Sequence, residues 1–157
     1  MTTQRQTARS AGSSTGGRRG KTHPRRRLDD ETKFTLRQIL QGNDEGLVMT
    51  AEHDGRPVAM LLAQVDAGRG VMHVHDLRVD YDNRRQGIAT VMLYQLIETA
   101  RDADLRAAYI ATRTNNAPIG RLLEKLGWEL SGLDTKRHDN HDLVKESATL
   151  LWYYVIR

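Results

Sequence analysis

The sequence predicts an α/β (α+β) domain built on a mixed, mostly antiparallel sheet with helices packed against it. Strand-like runs come first, joined by tight glycine turns. Apolar residues then recur at spacings of three and four, and after them short apolar runs flank a second helical pattern. With 157 residues, 38% of them hydrophobic, the chain can bury one core and not two.

Before the first element stands a basic leader. Residues 1–28 carry Arg5, Arg9, Arg18, Arg19, Arg25, Arg26, Arg27 and Lys21 with no acid, which is +8 against +4 for the whole chain, leaving −4 for the rest. A disordered tail over residues 1–27 and one domain over 28–157 are expected. An organelle leader would need an apolar face, and Met1, Ala8, Ala11 and Leu28 do not make one. The tail is either merely solvated or a weak, salt-sensitive nucleic-acid contact.

Leu28-Asp29-Asp30-Glu31 reads as a helix start, with Leu36, Ile39 and Leu40 on one side and Gly42 as the stop. Leu47 to His53 and Arg56 to Val65 read as antiparallel strands joined at Asp54-Gly55, a pair suited to positive φ. A glycine-rich turn, Asp66 to Gly70, leads into a third strand, Val71 to Val79. Ile88, Ala89, Met92, Leu93, Leu96, Ile97 and Ala100 then share one face of a helix from about Gly87 to Asp102. Ala107 to Thr112 is a buried strand. Asn116 caps a second helix bearing Ile119, Leu122, Leu123 and Leu126, with Pro118 in its first turn and Gly127 at its end. Trp128 to Ser131 and Ala148 to Ile156 are closing strands, the aromatic run Trp152-Tyr153-Tyr154 belonging to the core.

Several chemistries are excluded. The apolar run Val58 to Ala63 has six residues against the roughly 20 of a spanning helix, so no membrane contact and a cytoplasmic location are expected. There is no cysteine, hence no disulfide or thiol nucleophile. Gly20-Lys21-Thr22 ends like a phosphate-binding P-loop, but the required first glycine position is Thr15. His73 with His75, and His138 with His141, lack a carboxylate set, so no metal is expected.

The stretch that carries chemistry is Arg84-Arg85-Gln86-Gly87-Ile88-Ala89, between a strand and a helix start. Amides at a helix start lack intrahelical partners and point outward, which makes an anion site. Gly87 admits a phosphate close to the main chain, and the arginines add charge-assisted bonds without a metal.

In context these residues resemble the GNAT superfamily of N-acetyltransferases. Its pyrophosphate loop, Arg or Gln, x, x, Gly, x, Gly or Ala, follows a strand ending like Leu77-Arg78-Val79. Asn116 and the helix end Leu122 to Trp128 also look like the family's Asn, helix, then Gly-aromatic order. The likeness covers roughly residues 47–157. It implies the GNAT fold with a splayed central strand, acetyl-coenzyme A as the acyl donor, and direct transfer to an amine. The backbone of Leu77 and Val79 would hold the pantetheine arm, with Asn116 nearby. Arg84, Arg85, Gln86, Gly87, Ile88, Ala89 and Thr90 would hold the pyrophosphate.

The amine must first lose a proton, its ammonium form having a pKa of about 10.4. Asp76 and His75 on the strand are the candidate acceptors; strict alternation puts them on opposite faces, and a bulge would alter that. Two departures from the family stand out: Leu123 occupies the position of a thiolate-protonating tyrosine, and only Leu28 to Gly46 precedes the sheet, so the fold is expected to be shortened at its N-terminus. Gly132 to Thr135 and Leu151 to Tyr154 resemble streptothricin acetyltransferases, which implies a small aminated antibiotic as acceptor. Alternatives are a protein N-terminus or lysine, or a non-catalytic acyl-CoA-binding or RNA-binding module. Monomer and homodimer are both compatible.

Overall fold

A helix is stable only if its end groups find partners, and the first helix, α1 (Asp30–Leu40), has both ends satisfied. The Asp29 carboxylate accepts the Thr32 amide at 2.7 Å, with Asp30 and Glu31 in the positive first turn. At the other end Gly42 takes φ +75°, and the Asn43 amide reaches back to the Gln38 carbonyl at 2.9 Å. The computed structural model describes residues 4–9, 27–142 and 147–157. They divide into two units, Met1–Gln64 with His75–Met92 and Val65–Val74 with Leu93–Arg157.

In the first unit β2 (Gly46–His53) and β3 (Arg56–Asp66) form an antiparallel hairpin, Val48 opposite Leu62. Asp54 (φ +50°) and Gly55 (φ +76°) give the doubly left-handed turn that their side chains favour. The hairpin leads to β4 (Val71–Val79). Ile39 of α1 is fully buried on Val48 and Leu62, with Leu36 beside it. Gly46 is required by that seat: a Cβ there would lie 2.4 Å from the Ala63 carbonyl oxygen and 2.6 Å from Ile39 Cδ1.

Six residues of the tail read as disordered form a strand, β1 (Gln4–Arg9), which runs parallel to β2 with Gln4 opposite Leu47 and Arg9 opposite Glu52. The order in this unit is β1–β2–β3–β4. A strand therefore does precede α1, where the sequence left only Leu28 to Gly46 ahead of the sheet. Backbone pairing to an open strand edge asks little of side-chain pattern, so the alternation test had nothing to detect. The remaining tail residues up to 26, including the Gly20-Lys21-Thr22 string, lie outside the described residues.

In the second unit the order is β4–β5–β7–β6, with β5 Ala107–Arg113, β6 Glu129–Asp134 and β7 Thr149–Val155. β4 and β5 are parallel from Val71↔Ala107 to Val74↔Ile110, whereas β7 pairs antiparallel with β5 and with β6. The sheet is thus mixed and mostly antiparallel, as expected. Helix α2 (Ile88–Asp102) buries Met92, Leu93, Leu96, Ile97 and Ala100. Helix α3 (Ala117–Lys125) ends where Gly127 turns at φ +88° and the Trp128 amide reaches the Leu123 carbonyl at 2.9 Å. Asn116 precedes α3, but its side chain makes no capping bond, contrary to the sequence expectation. Trp152 is buried and donates to Thr112 Oγ1 at 2.9 Å, which satisfies its indole N–H.

Gly46→Ala is expected to cost about 1–3 kcal/mol by overpacking the α1 seat. Urea unfolding checks it, and an unchanged midpoint would mean that α1 shifts freely.

Candidate functional site

The end of β4 delivers the chain into a short 3-10 turn, Tyr81–Asn83, and then into the loop before α2. The turn is closed by Asn83 and Arg84 amides on the Asp80 and Tyr81 carbonyls, and the Asp80 amide is tied to the Val58 carbonyl at 2.7 Å. Two residues of the loop are left-handed, Arg85 at φ +64° and Gly87 at φ +78°. For Arg85 that conformation costs about 1–2 kcal/mol, a strain kept where the loop's shape matters. The first amide donating back along α2 is Val91, to the Gly87 carbonyl at 3.0 Å. Gln86, Gly87, Ile88, Ala89 and Thr90 therefore sit where helix-start amides face outward. No atom lies within 4 Å of a Cβ built on Gly87, so the approach to the main chain is open.

Arg84 is held differently from a free anion clamp. Its Nε donates to the Val79 carbonyl at 3.2 Å and its guanidinium lies 5.5 Å from the Tyr81 ring centre. The loop is thereby fastened to the end of β4. An open groove in the same unit includes Asp54, Arg56, Asp80 and Asp82 in its lining. It borders the acidic turn rather than the amides.

The two candidate proton acceptors differ in what surrounds them. Asp76 makes a two-pronged ion pair with Arg78, Nε to Oδ2 at 2.6 Å and Nη2 to Oδ1 at 2.9 Å. The two residues are two apart on β4. The carboxylate, in turn, keeps Arg78 above its usual pKa. His75 has other surroundings, its Nε2 3.0 Å from Gln64 Oε1. Burial lowers its pKa from 6.5, while the Glu31 and Asp29 charges at the start of α1 oppose that shift. A neutral imidazole at pH 7 can take a proton at once; Asp76 must first loosen Arg78.

The model of the acetyltransferase (GNAT) family matches residues 16–128, well over half of the chain. The chain belongs to the GNAT acetyltransferase family. No curated protein matches the sequence. Among solved structures it is similar to a protein assigned as a streptothricin acetyltransferase from Bacillus anthracis, solved with acetyl coenzyme A: TM-score 0.61, 16% identity, covering 67% of this chain and 59% of that one. A nourseothricin acetyltransferase gives TM-score 0.61 and 21% identity over 66% of this chain and 61% of that one. The ribosomal-protein-S18-alanine N-acetyltransferase of Escherichia coli gives TM-score 0.62 and 20% identity over 76% of each. The chain thus spans about three fifths of the length of the first two, and these likenesses show the GNAT fold.

Within that fold the second unit contains Asn116, ahead of α3, and Leu123, which is fully buried. Leu123 is a core residue here and offers no proton. Among the described residues no helix is long and apolar enough to cross a membrane. Sequence reasoning missed the Asp76–Arg78 pair, although their i, i+2 spacing and opposite charge were visible, and it missed Gln64, whose relation to His75 depends on strand pairing.

Because His75 is neutralised by burial, its ring should titrate below pH 6.5, as followed by NMR. The unfolded chain binds the proton first on acidification. The associated stability is therefore complete above pH 6.5 and declines as pH falls toward the folded midpoint. His75→Asn should flatten this part of the stability–pH curve; a ring titrating above 6.5 would contradict the burial argument.

Proposed function

We propose that this GNAT protein is an acetyl-CoA-dependent N-acetyltransferase that moves an acetyl group to a primary amine by direct transfer. The observation that carries the reading is the loop before α2, where two left-handed residues and unpaired helix-start amides make an open cradle for a pyrophosphate. Arg85, Gln86, Gly87, Ile88, Ala89 and Thr90 bind it through their main chain, and Arg84 fixes the loop to Val79. The backbone of β4 at Leu77 and Val79 orients the pantetheine arm by hydrogen bonds. No metal is required, since the amides and arginines supply the positive field.

His75 takes the proton from the acceptor ammonium, directly or through water, and the neutral amine attacks the thioester carbonyl. The C–S bond breaks as the C–N bond forms, and the nitrogen's second proton ends on the departing thiolate through solvent, because Leu123 has none to give. Asp76 with Arg78 shapes the strand beside the reacting atoms. A small aminated antibiotic is the first acceptor class, supported by the C-terminal resemblance and by similarity to streptothricin and nourseothricin acetyltransferases. A protein N-terminus is the second, supported by similarity to the S18-alanine enzyme.

Calorimetry with acetyl-CoA on the native chain and on Gly87→Glu tests the cradle. Native binding is expected with affinity reduced at least about tenfold in the variant, whose charge opposes the pyrophosphate. Equal binding by the two would remove the loop from the site. Labelled acetyl-CoA offered with small amines and with peptides then separates the acceptor classes.

A further inference from the structure

We infer that Asp44 and Gln64 are positioning residues that hold His75 in its Nε2–H tautomer, so that Nδ1 is the nitrogen that receives the acceptor's proton. This rests on the acetyltransferase reading above. The chain of contacts lies within the first unit. Gln64 Nε2 donates to Asp44 Oδ2 at 2.9 Å, and Gln64 Oε1 faces His75 Nε2 at 3.0 Å.

The logic is one of donors and acceptors. A carboxylate only accepts, so Asp44 fixes which end of the Gln64 amide is NH2. Rotating the amide by half a turn would set two oxygens against each other at Asp44. With the amide pinned, the atom facing His75 is a carbonyl oxygen, and a carbonyl can only accept. The proton of the neutral ring must then be on Nε2, and the basic lone pair on Nδ1. When the ring is protonated, Nε2–H goes on donating to the same oxygen. The Asp44 charge, transmitted through the amide dipole, stabilises the imidazolium. Asp29 and Glu31 act in the same direction from α1, whereas burial acts against it.

Asp44 is itself anchored. Its amide reaches the Gln38 carbonyl at 3.3 Å beyond the end of α1, and the neighbouring Asn43 side chain bonds that of Gln38 at 3.0 Å. The turn after Gly42 therefore does more than end a helix. It delivers a carboxylate to a glutamine 20 positions away in sequence.

The test is long-range 1H–15N NMR of the full chain labelled at histidine nitrogens, run above the His75 midpoint without substrates. The Nε2–H pattern is expected for the native chain, and an averaged pattern for Gln64→Met, Asp44→Ala and Asp44→Asn, whose amide can turn either a donor or an acceptor toward Gln64. In the pH profile of acetyl transfer, Asp44→Asn and Asp44→Ala should both move the acidic limb to lower pH, since both remove the charge. A native Nδ1–H pattern overturns the inference, as does a pure Nε2–H pattern in Gln64→Met or an acidic limb that stays in place. Absence of transfer by the native chain overturns the acetyltransferase reading and the positioning role with it, and is told apart because the tautomer is read without donor or acceptor. Unchanged unfolding transitions qualify each variant.

Discussion

β4 is paired unequally along its length, and the site follows from that. Up to Val74 the strand has the register Val71↔Ala107 to Val74↔Ile110 with β5, and among the described residues that ladder goes no further. Backbone donors and acceptors need partners, and in the first unit β4 has β3 as its hydrogen-bonded neighbour. One carbonyl, that of Val79, is taken by Arg84. His75 and Asp76 lie on the part of β4 that has β3 as its neighbour in the first unit.

Electrostatics then separates two side chains that the sequence left equal. Each oxygen of Asp76 has its own guanidinium bond, and the pair is only partly exposed, 18% for Asp76 and 33% for Arg78. Charge-assisted bonds of that geometry are among the stronger ones a side chain makes. Water still reaches the pair, so its net contribution to stability is modest, roughly 1 kcal/mol or less. The carboxylate is thus occupied by the guanidinium, whereas burial lowers the pKa of the His75 imidazole.

Most of the fold could be read from the sequence because its elements follow local rules. Gly42, Gly55, Gly87 and Gly127 all have positive φ where a stop, a turn, the anion loop and a helix end were expected. The face of α2 from Met92 to Ala100 was visible in its spacing, and β4 has the bounds its pattern suggested. Illegible features depended on distant partners. Gln64 and Asp44 are ordinary surface-type residues in the sequence, and only the pairing of β3 with β2 and with β4 brings the glutamine near both the carboxylate and His75. β1 was missed because its pairing is a matter of backbone against the free side of β2. Asn116 misled for a different reason: the residue type suits a cap, yet its side chain is not used as one.

The parallel strand Gln4–Arg9 bears on how this protein is handled. Without it the outer side of β2, from Leu47 to Glu52, becomes an uncovered strand edge, and such edges are templates for pairing with other molecules. Trimming the chain at residue 27, which a reading of the leader as loose basic sequence invites, would strip that cover. The price is insolubility, incurred at a step intended only to tidy the N-terminus.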